Sequence, residues 1–177
     1  MSWRGRTIIR RFCRSRRGAA AVEFALVAPM LFALIFSTIE ASWLMMQSIM
    51  LDHALDRTVR QVRVGGLAGA TSEQFEQAVC GMAAILGNCP DLLTVEMIPI
   101  HAESDFPSDD ARCINRNTNV SPALRYNPGG RSETVFVRAC YVSQPFTPFL
   151  GLGLRMPKDA TGALHIVSYS AFANEPA

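Results

Sequence analysis

The sequence lacks the short motifs that mark common catalytic and cofactor sites. It has no serine in a nucleophile elbow and no glycine-rich loop of the kind that holds phosphates. It has only three histidines, and it contains neither an internal repeat nor a low-complexity tract. From these absences we expect no enzymatic activity and no cofactor.

Metal-binding patterns are weak as well. The five cysteines include no CxxC pair and have no histidine nearby in sequence, so zinc binding is a weaker interpretation of them than disulfide formation. His101 is followed by acidic residues whose chemistry suits calcium but whose spacing is not that of an EF-hand: Glu103, Asp105, Asp109 and Asp110. A solvated polar loop is the simpler interpretation, and we predict no metal site.

Acidic side chains are absent from the first 17 residues, which hold seven arginines. The net charge of +2 therefore hides an asymmetry, because residues 18–177 carry 10 basic and 15 acidic side chains. An arginine-rich tail is compatible with a nucleic-acid arm. The apolar run after it favours another interpretation, since arginines beside a hydrophobic segment hold that end in the cytoplasm. We expect no nucleic-acid partner.

Residues 19–39 form an apolar run that contains one charge, Glu23. A helix of about 20 residues crosses the hydrocarbon core of a bilayer, so this run is long enough to span it and to contact membrane lipid. It exceeds the apolar stretch of about 7–15 residues in a secretory signal, and no small-residue cleavage site follows it. The predicted topology is a cytoplasmic N-terminus, one crossing and an exported C-terminal body.

Glu23 and Pro29 are unusual in such a run. The simple interpretation of Glu23 is that it snorkels to the interface from near the helix start. The alternative is a partner, because cleavage after Gly18 would leave a free amine on Ala19 and make Glu23 the fifth residue of the new chain. Pro29 removes one helix hydrogen bond, and it is either a kink that helps packed helices bend or an ordinary membrane proline.

These features occur in an order that resembles the class III signal of type IV pilins: basic residues, a glycine, four small or apolar residues, a glutamate and a long apolar helix. The stretch GAAAVEFALVAP at 18–29 is similar to the TadE-like family of minor pilins, or pseudopilins, of bacterial tight-adherence (Tad, Flp-type) pilus systems. The C-terminal SAFANEP at 170–176 also resembles the end of such proteins. The resemblance is dense over residues 16–63.

The resemblance implies that a prepilin peptidase cleaves between Gly18 and Ala19, and that Glu23 then pairs with the amino terminus of an adjacent subunit. Its implied partners are other pilins, which contact the helix, and the inner-membrane platform for pilus assembly. The implied location is the bacterial inner membrane, with a periplasmic C-terminal domain, or an extracellular pilus used in adhesion. The body of over a hundred residues after the helix favours a minor component over the bulk fibre subunit.

Two alternatives stay open. One is an uncleaved single-pass scaffold of the pilus or secretion machinery. The other is a membrane-anchored periplasmic module that binds a ligand through the polar loop at 101–132.

The helix is expected to continue beyond the membrane. Leu51, Leu55, Val59 and Val62 recur about once per helical turn, until the glycine pair at 65–66 ends the pattern. The expected divisions are a basic leader at 1–18, a transmembrane helix at 19–46, a juxtamembrane extension at 47–64 and a head at 70–177.

The head is predicted to add a second helix and about three antiparallel strands, which gives an α+β fold. The helix opens at Ser72 and ends near Gly87. The strands are expected at 92–100, 133–146 and 163–172, with an irregular link at 145–162.

Four of the cysteines fall in the exported body, where an oxidising compartment favours two disulfides. Three pairings are open. We favour Cys80–Cys89, which ties a helix to a loop, and Cys113–Cys140, which pins the long loop to a strand. Cys13 lies on the cytoplasmic side and would leave with the leader.

Overall fold

One long helix and a small head make up the structure, a computed structural model that describes residues 18–67, 69–107, 113 and 125–174. Residues 1–17 of the predicted leader, including Cys13, lie outside the described residues, as do residues 175–177. The elements follow in the order α1 (Ala19–Arg63), α2 (Ser72–Met82), α3 (Cys89–Leu92), β1 (Leu93–Ile100), β2 (Thr134–Ser143), α4 (Gly151–Arg155) and β3 (Leu164–Ala173). This architecture confirms the predicted α+β class.

Helix α1 runs through 45 residues, and its end at Arg63 lies within one residue of the predicted limit at 64. At about 1.5 Å per residue it is about 68 Å long. It ends where the sequence pattern indicated, because Gly65 takes a left-handed φ of +83°. The amides of Gly65 and Gly66 donate to the carbonyls of Val62 and Gln61, respectively. This arrangement is a Schellman motif, which satisfies carbonyls of the last turn.

The C-terminal half of α1 anchors the head. Leu51, Leu55 and Val59 are buried and Val62 packs against the same core, so the predicted apolar stripe is confirmed. Their spacing of three or four residues places them on one face of the helix. The core that they join is completed by residues of α2 and the sheet, among them Phe75, Val79, Val95, Met97, Val135 and Val137.

Helix α2 begins as predicted but ends earlier. Thr71 and Gln74 form a capping box, in which each side chain accepts a hydrogen bond from the other residue's backbone amide. The predicted end near Gly87 is wrong, because α2 ends at Met82. The physical reason is the bridge from Cys80 to Cys89, whose Cα atoms lie 5.6 Å apart. A continuous helix would separate these atoms by about 14 Å.

The sheet has the order β1-β2-β3, and both pairings are antiparallel. All three strands lie within a few residues of their predicted positions, and β2 ends at Ser143 instead of residue 146. Val135 and Val137 alternate with Phe136 and Arg138, so one face of β2 meets the helices and the other faces away from them. Residues 125–127 pair with the free edge of β1 through Met97.

The outer face of the sheet carries a polar and aromatic layer. Arg138 of β2 lies 3.2 Å from Glu96 of β1, and both side chains are largely buried. Phe136 stacks on Tyr169 and also makes an edge contact with Phe106 of the long loop after β1. The long loop therefore begins against this face of the sheet.

Two disulfides tie the head together. They join Cys80 to Cys89 and Cys113 to Cys140, the two pairs that the sequence favoured, each with Cα atoms 5.6 Å apart. The first closes the turn between α2 and α3. The second attaches the loop after β1 to the centre of β2.

The link between β2 and β3 is more ordered than expected. The prediction of an irregular segment at 145–162 is wrong at Gly151–Arg155, which forms the short helix α4. A second turn is centred on Asp159, whose carboxylate accepts hydrogen bonds from the amides of Thr161 and Ala163 and from the Thr161 hydroxyl. The imidazole Nε2 of His165 lies 3.2 Å from the same carboxylate.

Removal of the two disulfides is expected to have unequal effects. The bridged cysteines are separated by 9 and 27 residues. The entropy of loop closure therefore predicts losses of about 2.5 kcal/mol for Cys80→Ala/Cys89→Ala and about 3.5 kcal/mol for Cys113→Ala/Cys140→Ala. Urea unfolding of the full chain in detergent measures both. Equal losses, or a larger loss for the first pair, would contradict the prediction.

The turn at Asp159 is expected to make stability depend on pH. Burial acts to raise the pKa of Asp159, but the hydrogen bonds from Thr161, Ala163 and His165 outweigh it and lower the pKa below its usual value. Folding therefore gains from the ionised carboxylate above about pH 4, and this gain is lost as the pH falls towards the lowered pKa. Asp159→Asn should cost about 1 kcal/mol at pH 6 and clearly less near pH 2.5. Urea unfolding at the two pH values tests this, and a difference that stays constant would refute it.

Candidate functional site

The N-terminal half of α1 exposes apolar side chains on all sides. Among them are Val22, Phe24, Leu26, Val27, Met30, Leu31, Phe32, Leu34, Ile35, Phe36 and Ile39. An 18-residue window of this helix has a mean hydropathy of 2.2 and only 6% of it is buried. By length and composition, α1 is therefore able to span a membrane.

Gly18, Ala19 and Glu23 lie together at the start of this exposed half. Gly18 is the N-cap residue and Ala19 is the first residue of the helix. Glu23 is exposed, and among the described residues no hydrogen bond or ion pair to it is found.

Helix α1 continues through Pro29 without interruption. Pro29 has no amide hydrogen, so it cannot donate to the carbonyl one turn earlier.

Three hydroxyl residues further along the helix donate hydrogen bonds to carbonyls of the same helix: Ser37 to Ala33, Thr38 to Ile35 and Ser42 to Thr38. Such bonds satisfy polar side chains inside an apolar helix.

Glu40 is the most unusual residue of α1, because its side chain is fully buried at 0% exposure. Its Oε1 accepts a hydrogen bond from the amide of Phe146 at 3.1 Å. Its Oε2 accepts from the amide and the hydroxyl of Thr147, at 2.9 and 3.0 Å. We call residues 144–156, which follow β2, the strap, and these three bonds the Glu40 junction.

Two neighbouring polar residues extend this contact along the same side of α1. The hydroxyl of Ser143 donates to Oε1 of Gln47 at 2.7 Å, and both residues are buried. One turn before Glu40, the hydroxyl of Ser37 accepts from the amide of Leu152 at 3.0 Å. The strap and the end of β2 are therefore held to α1 by polar side chains over about three helical turns.

The strap approaches α1 closely enough to require glycine. Gly151 has a left-handed φ of +55°, and a Cβ atom there would collide with the hydroxyl of Ser37 and meet the carbonyl of Ala33. A Cβ atom on Gly153 would likewise collide with the backbone of Thr147. The two glycines allow the strap to fold on itself and lie directly against the helix.

The histidines and the acidic loop form no common site in the described residues. His53 is exposed on α1. His101 lies near Asp105, whose carboxylate accepts hydrogen bonds from the amides of His101 and Ala102 at 2.8 Å each. These two bonds lower the pKa of Asp105 and use its carboxylate within the loop. Asp109 and Asp110 lie outside the described residues, so the calcium alternative is not tested.

The residues singled out from sequence form two separate groups. Gly18, Ala19, Glu23 and Pro29 lie on the exposed half of α1, and the cysteines lie in the head. Sequence reasoning missed Glu40, which lies directly after the apolar run at 19–39. One signal was present: Glu40, Gln47 and Leu51 follow each other at intervals of seven and four residues, which places them on one helix face.

The comparisons with known proteins found a similarity that lies within helix α1 and its N-cap residue. No curated protein matches the chain, and no solved structure does. Residues 18–60 match the family model described as TadE-like protein. This match confirms the resemblance indicated by the sequence and identifies the greater part of α1 as a TadE-like segment.

Proposed function

We propose that the protein is a minor pilin or pseudopilin that is needed to assemble a Tad-type type IV pilus, and so for surface attachment. The observation that carries the proposal is the placement of Gly18 and Glu23 at the start of a long apolar helix within the TadE-like match. The head, which the helix carries at its other end, supports a minor component over a short fibre subunit. The proposed mechanism is structural, not enzymatic.

In this mechanism, a prepilin peptidase cleaves after Gly18 on the cytoplasmic side and frees the amine of Ala19. The seven arginines before the helix support this orientation, because basic residues are retained on the cytoplasmic face. The head then lies in the periplasm, a compartment that permits its two disulfides. The assembly platform of the inner membrane would bring processed subunits together.

Glu23 supplies the proposed contact between subunits. Ala19 and Glu23 are four residues apart, which is a rise of about 6 Å along the helix. A neighbouring subunit shifted along its axis can therefore place its amine beside the Glu23 carboxylate. An unpaired carboxylate at the centre of a membrane helix costs about 2.5–3.5 kcal/mol, and less near the helix end. Pairing with an amine offsets part of that cost. The exposed apolar side chains around Glu23 supply the surface along which the helices pack.

Processing is tested by mass spectrometry of the protein from membrane fractions of cells with an active prepilin peptidase. We expect a chain that starts at Ala19. Gly18→Leu should prevent cleavage and leave the fold intact, because a Cβ atom at Gly18 meets no described atom within 4 Å. Gly81→Ala is the matched control, since Gly81 has similar open space. An intact Met1 end on the native chain would favour the uncleaved scaffold instead.

Pairing is tested by Glu23→Ala with Asp52→Ala as its control. Both variants remove an exposed carboxylate from α1, but only the first removes the proposed partner of the amine. Glu23→Ala should leave membrane insertion unchanged and reduce the number of pili at least about tenfold. Pili are counted by electron microscopy of negatively stained cells. Normal piliation with Glu23→Ala would refute the pairing role.

A further inference from the structure

The strap concentrates exposed apolar surface in a short stretch of the head. Of the seven large hydrophobic side chains exposed in the described part of 69–174, five belong to it: Phe146, Phe149, Leu150, Leu152 and Leu154. Phe149 is 86% exposed and Leu154 is 60% exposed. Isolated exposed apolar residues are ordinary, but a contiguous group of this kind marks a surface that contacts something else.

Five backbone amides of the strap have hydrogen-bond acceptors within the protein. The amides of Phe146 and Thr147 donate to Glu40, and the amide of Leu152 donates to Ser37. The amides of Leu150 and Met156 donate to carbonyls within the strap. An irregular segment inside hydrocarbon needs partners of this kind, because an unsatisfied amide there costs several kcal/mol.

The position of the strap on α1 gives its depth if the helix spans a bilayer and Ala19 lies at the start of the hydrocarbon core. Counted from Ala19 at about 1.5 Å per residue, Ala33 lies at about 21 Å, Ser37 at about 27 Å and Glu40 at about 32 Å. The hydrocarbon core is about 30 Å thick. The part of the strap that contacts Ala33 and Ser37 therefore lies several ångströms inside the core, in the leaflet far from Ala19.

Polar and aromatic residues around the strap match the boundary of that leaflet. Trp43 of α1 makes an edge contact with the ring of Phe146, with centroids 5.2 Å apart. Tryptophan is enriched at the interface between lipid and water. Arg155 and Lys158 follow the apolar residues, and the Lys158 amine donates to the carbonyl of Pro148 at 2.7 Å. Cations placed after an apolar segment are able to reach lipid phosphates.

We propose that the strap is a second membrane contact, which inserts Phe149, Leu150, Leu152 and Leu154 among the acyl chains of the periplasmic leaflet. The Glu40 junction holds its backbone against α1 at that depth. The inference rests on the proposed membrane topology of α1. The exposed apolar surface of the strap is continuous with the exposed apolar half of that helix. Lipid is favoured over a second copy of the chain as the partner of the strap. An exposed side chain at this depth contacts acyl chains even when the protein is a monomer.

Depth is measured by fluorescence quenching of the full chain in phosphatidylethanolamine/phosphatidylglycerol vesicles that contain brominated lipid. Trp3→Phe and Trp43→Phe provide a background without tryptophan, to which one probe is added. Phe149→Trp reports on the strap. Phe32→Trp reports on the spanning half of α1, and Tyr169→Trp reports on the exposed outer face of the sheet.

We expect the probe at 149 to emit at blue-shifted wavelengths and to lose most of its fluorescence to lipids brominated in the upper part of the acyl chain. The probe at 32 should also be quenched, and the probe at 169 should not. If 32 is quenched and 149 behaves like 169, the strap proposal fails and the membrane topology stands. If 32 is not quenched, the topology on which both proposals rest fails. A blue-shifted but unquenched probe at 149 would show that protein, such as a second copy, covers the strap, and would overturn the lipid contact.

The role of the Glu40 junction is tested in the same vesicles. Glu40→Ala leaves the amides of Phe146 and Thr147 without their acceptor, so quenching of the probe at 149 should fall while that at 32 is unchanged. Ser42→Ala is the control, because the Ser42 hydroxyl bonds only to the Thr38 carbonyl of the same helix among the described contacts. Quenching at 149 that is equally strong with Glu40→Ala would show that the junction does not position the strap.

Discussion

The carboxylate of Glu40 receives two backbone amides and a hydroxyl of the strap at the point where α1 passes from its exposed half to its buried half. Burying a carboxylate is costly unless several donors surround it, and here the donors come from a segment that also needs an acceptor. The carboxylate and the donors of the strap therefore each supply the hydrogen bonds that the other loses on leaving water. The contact sets where along the helix the head begins and how close the strap lies to it.

Beyond Glu40, the face of α1 that carries this residue makes first polar and then apolar contacts. Gln47 continues the polar contact with Ser143 at the end of β2, and Leu51, Leu55 and Val59 then enter the core. Polar contacts near the proposed membrane boundary give way to apolar contacts farther from it. The hydrophobic effect holds the sheet to α1, whereas directional hydrogen bonds place the part of the head nearest the lipid.

The fold was largely predictable because its signals are local. The apolar spacing of α1 and the glycine pair after it define the helix, and alternation in β2 defines its inner face. The end of α2 was not predictable in this way, because Ala83, Ile85 and Leu86 continue an apolar pattern that the Cys80–Cys89 bridge forces to turn. Glu40 was missed for a related reason, since its first partner is 106 residues away in sequence. In contrast, the spacing of Gly18 and Glu23 lies within one short stretch and is visible without a structure.

Helix α1 carries the head without a break between its two halves, and this continuity has a geometric consequence. Successive residues are turned by about 100° around the helix axis. If a neighbouring helix docked on the face centred one residue farther along the exposed half, the head would therefore be turned by about 100° relative to that neighbour. If the exposed half packs against a neighbour within a membrane, as proposed, the face used for that contact would decide which side of the sheet faces outward.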